Sequence, residues 1–130
     1  NHEEPGRYDF WTPPGGSVEG RESIFECAQR EVWEETGLDV SLDRVMYIQE
    51  LWEPGYHFCK FFILCTAYRG DATPAIGDSA EGPLADVRFC SRDDMVGLEV
   101  LPRVLQDQFW SDLEAECPVV RYLGLEEMAY

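Results

Sequence analysis

The chain has 130 residues, of which 45% are hydrophobic and 13% aromatic, enough for a single domain with a buried core. Its 26 acidic residues against 10 Lys and Arg give a formal net charge of −16, which argues against binding to nucleic acid, because such binding needs basic side chains that neutralise phosphates. We find neither a signal peptide nor an apolar run of about 18 residues, so we expect a cytoplasmic protein that does not bind membranes.

The first predicted element is a helix from about Ser23 to Thr36. Ser23 and Glu26 form the S-x-x-E pattern of a capping box, in which each residue bonds the backbone N–H of the other. Gly37 follows and can adopt the left-handed conformation that closes a helix.

Three carboxylates lie on one face of this helix. At roughly 100° per residue, Glu31, Glu34 and Glu35 fall at positions i, i+3 and i+4, so their side chains converge. Since like charges at this spacing repel, we expect a cation between them, and a hard divalent ion with oxygen ligands fits. The alternative is a solvated acidic helix face. The turn Pro13-Pro14-Gly15-Gly16 favours the metal site, because paired glycines allow the backbone to approach a ligand closely.

Two strands and two loops are predicted next. Val45 to Leu51 is typical of a strand, Leu51 to His57 of a loop, and Phe58 to Tyr68 of a long strand. The second strand is almost continuously apolar, as expected if both of its faces are covered. The segment Gly70 to Pro83 is rich in Gly and Pro and is predicted to be a long loop.

The rest of the chain is less strongly patterned. Leu84 to Cys90 can form a further strand, whereas Leu101, Leu105 and Phe109 recur every four residues and predict an amphipathic helix. The pattern assigns no element to the last segment, from Pro118 to Tyr130. Helices on two faces of a mixed sheet would give an α/β/α sandwich.

The cysteines and histidines do not indicate a site. The cysteines are odd in number and lack C-x-x-C spacing, which argues against a disulfide framework and against zinc: Cys27, Cys59, Cys65, Cys90 and Cys117. We expect Cys59 and Cys65 to be buried thiols. We expect His2 and His57 to be surface or hydrogen-bonded residues and not catalysts.

The helix belongs to a longer motif with the spacing G-x5-E-x7-R-E-U-x-E-E-x-G-U, where U is apolar. All nine specified positions match: Gly16, Glu22, Arg30, Glu31, Val32, Glu34, Glu35, Gly37 and Leu38. This is a complete Nudix box, and the chain resembles the Nudix hydrolases, metal-dependent enzymes that cleave the pyrophosphate linkage of a nucleoside diphosphate joined to a group X.

The resemblance implies a fold and a domain organisation. The Nudix fold is an α/β/α sandwich with a mixed sheet between helices, and we expect residues 1–130 to form one such domain. Nudix domains usually place a hydrophobic strand well before the box. Only the largely polar stretch Asn1 to Phe10 precedes Trp11, so we expect this first strand to be missing from the sequence.

The resemblance also implies the metal chemistry. Glu31, Glu34 and Glu35 would bind the metal, with the Gly16 carbonyl as a further ligand. Mg²⁺ is the expected ion and Mn²⁺ the alternative. Bound ions would neutralise pyrophosphate oxygens and activate a water that attacks phosphorus. Nudix enzymes differ in the position of the general base, so both Glu34 and Glu35 are candidate catalytic residues.

Further residues have supporting roles in this interpretation. Glu22 lies nine residues before Glu31, on the opposite side of any continuous helix, and by resemblance it braces the loop against the helix together with Arg30. We count Arg30 among the catalytic candidates as well, and assign structural support to Gly15 and Gly37.

A fourth functional carboxylate is expected in the long loop. In some Nudix enzymes a glutamate in the matching loop reaches the metal cluster or accepts a proton from water. Glu81, in Ala80-Glu81-Gly82-Pro83, is the best local match, and Asp78 and Asp86 compete with it. A solvated loop carboxylate is the alternative.

The substrate is less closely defined. Pro54 falls sixteen residues after Leu38, which resembles ADP-ribose pyrophosphatases, whereas Tyr56 falls eighteen residues after it, which resembles dinucleoside polyphosphate hydrolases. An ordinary Pro-Gly turn is the alternative. If the motif is functional, Trp52 or Tyr56 could stack on a base.

We therefore expect a small nucleotide substrate, with ADP-ribose or a nucleotide sugar first and dinucleoside polyphosphates or oxidised nucleoside triphosphates second. A catalytically idle Nudix module that senses a nucleotide or metal is the alternative from another class. The intact glutamates favour the enzyme. A homodimer is left open.

Overall fold

The computed structural model describes residues 12–71, 89–116 and 119–128. In chain order, two α-helices, three strands and two short 3₁₀ helices form: α1 (Ile24–Thr36), β1 (Asp39–Glu53), β2 (Tyr56–Arg69), 3₁₀ helices Asp93–Met95 and Arg103–Gln106, α2 (Gln108–Glu114) and β3 (Arg121–Glu127).

Helix α1 begins and ends where the sequence predicts. The Ser23 hydroxyl accepts a hydrogen bond from the Glu26 N–H at 3.1 Å, and the Glu26 carboxylate accepts one from the Ser23 N–H at 2.9 Å. Gly37 has a φ of 77° and donates its N–H to the Trp33 carbonyl. The capping box and the glycine cap are thus confirmed, and an N-cap of this kind stabilises a helix by about 1 kcal/mol.

The described strands form one mixed sheet in the order β2-β1-β3. Strands β1 and β2 are antiparallel and paired from Glu53↔Tyr56 to Asp39↔Arg69. The two strands predicted here exist, but both are longer than predicted. The loop predicted from Leu51 to His57 is wrong, because Gly55, with a φ of 84°, closes a two-residue turn and the ladder continues up to it.

Strand β3 comes from the segment to which the pattern assigned no element. It pairs parallel with β1, from Tyr47↔Arg121 to Trp52↔Glu127. Central strand β1 is therefore hydrogen-bonded on both sides, and its most deeply buried residues, Tyr47 and Leu51, are each 1% exposed.

Strand β2 differs from its prediction. It is an edge strand of the described sheet, and along its first half exposed residues alternate with half-buried ones, whereas a strand covered on both faces was predicted. Cys59 and Cys65 are exposed, so the prediction that they are buried is wrong. An apolar run cannot by itself show whether one face or two is covered.

The predicted helix through Leu101, Leu105 and Phe109 is broken into two pieces. Asp107 has φ −136° and ψ −82°, outside the helical region, and separates the 3₁₀ helix Arg103–Gln106 from α2. The strand predicted from Leu84 to Cys90 falls mainly on residues 84–88, outside the described residues, and so does the stretch Asn1 to Phe10.

The mixed sheet with its helices confirms the predicted α/β class. Helix α1 packs on the sheet through Val32, which forms an apolar cluster with Leu38, Val40 and Leu42. In the described ranges no helix has the length and apolarity that a membrane span requires.

Candidate active site

Arg30 joins the loop before α1 to the helix. Its guanidinium donates to both oxygens of Glu22, at 2.6 and 2.9 Å, and to the Ser17 carbonyl at 3.1 Å. These bonds lower the pKa of Glu22 to about 2, with a further contribution from the Glu19 N–H, and raise the pKa of Arg30. The bidentate geometry fixes the orientation of the loop as well as its position.

The same guanidinium lies between two of the candidate metal ligands. Arg30 Nη1 donates to Glu31 Oε1 at 2.7 Å and to Glu34 Oε2 at 3.2 Å. Glu35 is oriented differently, since its Oε2 accepts a hydrogen bond from the Gly15 N–H at 2.7 Å. Arg30 thus places one positive charge between Glu31 and Glu34, and the divalent ion stays a prediction.

The three glutamates differ in environment. The Glu31 side chain is 1% exposed and that of Glu34 is 48% exposed, while Glu35 is buried. Glu31 Oε2 is buried and finds no hydrogen-bond partner among the described residues. A buried polar atom without a partner costs about 1–3 kcal/mol, so it calls for an explanation.

Gly16 makes room for the Glu31 carboxylate. A Cβ built on Gly16 would lie 2.4 Å from Glu31 Cδ and 2.5 and 2.7 Å from its two oxygens. Any side chain at this position would displace the carboxylate. Gly15 differs, because a Cβ built there meets no described atom within 4 Å.

The chemistry of these residues fits a hard divalent cation. Across residues 12–71, 89–116 and 119–128, no group of three or more His, Cys, Asp or Glu side chains is arranged to hold a metal ion. Glu31 Oε2 nonetheless offers a buried carboxylate oxygen, the ligand type that Mg²⁺ prefers. Glu34 and Glu35 would join it by exchanging their bonds to Arg30 and to the Gly15 N–H.

The residues predicted to bind substrate lie at the end of the β1–β2 hairpin. Pro54 is in the turn, and the side chains of Trp52 and Tyr56 are exposed. Trp52 pairs with His57 and Tyr56 with Glu53, so the two aromatic rings lie on opposite faces of the hairpin. Tyr56 contacts Phe58, with ring centroids 5.1 Å apart. One base therefore cannot stack on both rings in this arrangement.

Glu81 and its competitors Asp78 and Asp86 lie outside the described residues.

His57 forms a hydrogen bond with the Glu50 carboxylate at 2.7 Å, and that carboxylate also accepts a hydrogen bond from the Tyr122 hydroxyl at 2.5 Å. These bonds, that of Tyr122 first, lower the pKa of Glu50.

A third buried carboxylate was missed by the sequence reasoning. Asp112 on α2 accepts hydrogen bonds from the Tyr47 hydroxyl at 2.7 Å and from Gln108 Nε2 at 3.0 Å. Arg121 donates to both Asp112 oxygens at 2.9 Å. Arg121 first and Tyr47 second lower the pKa of Asp112 to about 2. Its partners lie far apart along the chain, so no local pattern could have indicated the network.

Comparison with curated proteins gives short matches. The chain is 45% identical over 49 residues to the Danio rerio protein named m7GpppN-mRNA hydrolase NUDT17, covering 37% of this chain and 16% of that protein. The protein of the same name from Homo sapiens is 39% identical over 49 residues, which cover 37% of this chain and 15% of that protein. The match thus spans only about a sixth of these relatives.

Two solved structures share the fold over most of the chain. The solution structure of the E. coli ORF135 protein superposes with a TM-score of 0.68 at 18% identity, covering 92% of this chain and 81% of that one. The crystal structure of a MutT protein from Bacillus halodurans gives a TM-score of 0.55 at 25% identity, covering 88% and 71%.

The family model of the NUDIX domain matches residues 2–110. That range contains the whole box, the Arg30 network and the β1–β2 hairpin. The family typically uses divalent metal ions. The chain belongs to the NUDIX domain family.

Proposed function

We propose that the protein is a Mg²⁺-dependent pyrophosphohydrolase of nucleoside diphosphates linked to a second group. The observation that carries this proposal is the state of Glu31: it is buried, one oxygen is held by Arg30, and the other has no hydrogen-bond partner in the described part of the chain. An oxygen-seeking cation explains why the fold tolerates this arrangement.

Glu31, Glu34, Glu35 and the Gly16 carbonyl would hold the ion, and Mn²⁺ could replace Mg²⁺. A divalent ion bound there would neutralise the pyrophosphate oxygens and lower the pKa of a water nucleophile. The side chains of the protein determine the geometry of the site. Arg30 fixes Glu31 and the loop at once, so the site is organised before substrate arrives.

The general base is proposed among the accessible carboxylates. Glu34 is the most exposed of the three box glutamates on α1 and can meet water without unfolding the helix. Its carboxylate accepts a hydrogen bond from Arg30 at 3.2 Å. Glu35 is the second candidate, because it borders the Gly15 turn. Glu81 stays a prediction from the sequence for the same role.

We rank ADP-ribose or a nucleotide sugar first among the substrate classes, because Pro54 falls sixteen residues after Leu38. A capped or other dinucleoside polyphosphate is the second candidate, favoured by the identity of 45% over 49 residues to a protein named m7GpppN-mRNA hydrolase. In either case the net charge of −16 favours a small nucleotide over a long nucleic acid.

The test is a panel of ADP-ribose, UDP-glucose, diadenosine tetraphosphate, m7GpppG and 8-oxo-dGTP, each with Mg²⁺ or Mn²⁺. Mononucleotide release is measured, and the Glu35→Gln variant gives the background. We expect cleavage that stops in excess chelator. Turnover that persists in chelator would contradict the metal mechanism, and no turnover of any compound would favour the idle sensor.

A further inference from the structure

The five N–H donors of the Arg30 guanidinium serve two different regions. Nε and Nη2 donate to both oxygens of Glu22 and to the Ser17 carbonyl, which lie in the loop before α1. Nη1 donates to two candidate metal ligands on α1, to Glu31 at 2.7 Å and to Glu34 at 3.2 Å. The same positive charge therefore holds the loop and neutralises part of the acidic cluster.

A divalent ion can reach Glu31 without displacing Arg30. Nη1 binds Oε1 of this buried carboxylate, whereas Oε2 has no hydrogen-bond partner in the described part of the chain. Glu34 differs, because its bond to Nη1 is longer and its side chain is 48% exposed. Glu34 can therefore change rotamer and turn from Arg30 toward an ion that is bound to Glu31.

Arg30 itself is held in place during such an exchange. Its bonds to the two Glu22 oxygens are 2.6 and 2.9 Å long, and bidentate pairs of this kind are among the strongest hydrogen bonds in proteins. The guanidinium cannot move far from an arriving cation, so the two positive charges stay close to each other. Their repulsion lowers the affinity of the site for a metal ion.

We propose that Arg30 is an internal counterion of the metal-free site, which exchanges its bond to Glu34 for a divalent ion and thereby sets the affinity of the site for that ion. Without the ion, Arg30 offsets the repulsion between Glu31 and Glu34. With the ion bound, Arg30 keeps its bonds to Glu22 and Ser17, and Nη1 loses an acceptor. The identity of the ligand, a divalent cation, rests on the proposed function.

The experiment measures Mn²⁺ binding to the full chain by calorimetry, on the variants Arg30→Gln and Arg30→Lys. Both variants lose the planar fork that binds Glu22, and they differ in that only the lysine keeps the positive charge. Arg30→Gln should bind Mn²⁺ at least about fivefold more tightly than Arg30→Lys, the effect of one unit charge at about 4 Å in water. A residue that only braces the loop would give two variants of equal affinity.

Thermal unfolding gives a second measurement on the same variants. In chelator, Arg30→Gln should have a lower Tm than the unmodified protein, because Glu22, Glu31 and Glu34 lose their shared partner. Saturating Mn²⁺ should then raise the Tm of Arg30→Gln more than that of Arg30→Lys, since a ligand that binds more tightly to the folded state stabilises it more.

Arg103→Gln is the control for net charge. The Arg103 side chain is 76% exposed and lies 3.9 Å from Glu99, so its neutralisation removes the same charge from an exposed position on a different element. Mn²⁺ affinity should change less than about twofold, because solvent screens exposed charges. A gain equal to that of Arg30→Gln would overturn the inference.

Nuclear magnetic resonance of the unmodified protein tests the exchange without a substitution, so the inference stays testable if neither Arg30 variant folds. Addition of Mg²⁺ should speed the exchange of the Arg30 Nη1 protons with water, because their acceptor Glu34 is lost. The Nε proton should stay protected by Glu22.

The inference is overturned if Arg30→Gln binds Mn²⁺ no more tightly than Arg30→Lys, or if Mg²⁺ leaves the exchange of the Nη1 protons unchanged. The proposed function survives either result, provided that the unmodified protein binds the ion. Absence of metal binding by the unmodified protein would refute both. The expected order of affinities without hydrolysis of any substrate would refute the proposed function alone.

Discussion

Two buried carboxylates, Glu31 on α1 and Asp112 on α2, show how this fold uses the same chemical group in two ways. Each meets an arginine, Arg30 at 2.7 Å and Arg121 at 2.9 Å. Asp112 has both oxygens hydrogen-bonded, and its donors come from β1, α2 and β3. Glu31 has one bonded oxygen and one without a partner among the described residues.

The difference separates stability from activity. A buried carboxylate whose hydrogen-bonding capacity is filled contributes to stability, and it has no oxygen to offer a ligand. A buried carboxylate with an unfilled oxygen costs free energy in the ligand-free protein and gains a partner on binding. We therefore expect substitutions in the Nudix box to affect turnover, and substitutions around Asp112 to affect unfolding.

The largest expected effect is on turnover. Glu34→Gln and Glu35→Gln should each lower kcat by about 100-fold or more, the scale of removing one transition-state stabiliser. Their Tm should change little, because the charge removed belongs to a cluster of like charges. Steady-state kinetics on a cleaved substrate and thermal unfolding measure the two effects.

Glu19→Gln is the control for this prediction. The Glu19 side chain is 70% exposed and lies 4.0 Å from Arg30, so its neutralisation should change kcat less than about twofold, like most exposed single substitutions. An equal loss in the control would show that net charge, and not position, governs the rate.

The second effect is on stability. Asp112→Asn should lower the free energy of unfolding by about 2 kcal/mol, since it weakens several buried hydrogen bonds. The kcat of the folded protein should be retained. Urea unfolding at neutral pH measures the difference in free energy between the variant and the unmodified protein. If kcat were lost and the unfolding midpoint unchanged, the roles assigned to Asp112 and Glu31 would be reversed.

The same network has a pH signature. The pKa of Asp112 is lowered from 3.8 to about 2, so its stabilisation is present above about pH 4 and is lost as the pH falls through about 2. The variant Asp112→Asn should therefore differ less from the unmodified protein in its free energy of unfolding as the pH falls over this window. A difference that stays constant with pH would mean that the Arg121 ion pair does not stabilise the fold.

The third effect concerns the space beside Glu31. Gly16→Ala would place a Cβ 2.4 Å from the Glu31 carboxylate carbon, so the carboxylate must move, at a cost of about 1 kcal/mol or more. Both kcat and Tm should fall. Gly15→Ala is its neighbour and matched control, because the added methyl meets no described atom within 4 Å and the N–H to Glu35 is kept. Equal behaviour of the two variants would refute the close approach.

The smallest effect is expected at Glu50, which joins His57 and Tyr122 on the exposed side of the sheet. Glu50→Gln should leave the midpoint of urea unfolding almost unchanged, because exposed polar contacts contribute little. Its kcat should be unaltered. A large loss of turnover would add this cluster to the active site.

The sequence was most informative where short-range chemistry decides the structure. Ser23, Glu26 and Gly37 define α1 through contacts within a few residues, so its bounds could be predicted. The role of Arg30 in bracing the loop could be assigned only through the resemblance, because Arg30 donates to the backbone carbonyl of Ser17 in that loop. Side-chain types do not encode such a contact.

Long-range pairings explain what could not be predicted. The burial of Asp112 depends on Tyr47, 65 residues away, and the exposure of Cys59 depends on β2 being an edge strand of the described sheet. Neither property follows from a local pattern. Likewise, three glutamates on one helix face predict convergence, but Gly15 and Arg30 compete for their oxygens in the folded chain.

The most direct test of the role of Glu31 is Mn²⁺ binding, measured by calorimetry on the unmodified protein and on Glu31→Gln at neutral pH. We predict that the substitution weakens binding of the ion at least tenfold, because even the loss of an outer-shell partner of a metal ligand costs about 10- to 100-fold in affinity, while Tm in chelator does not fall. Equal Mn²⁺ affinity of the two proteins would contradict the account, because Glu31 would then not contribute to binding the ion.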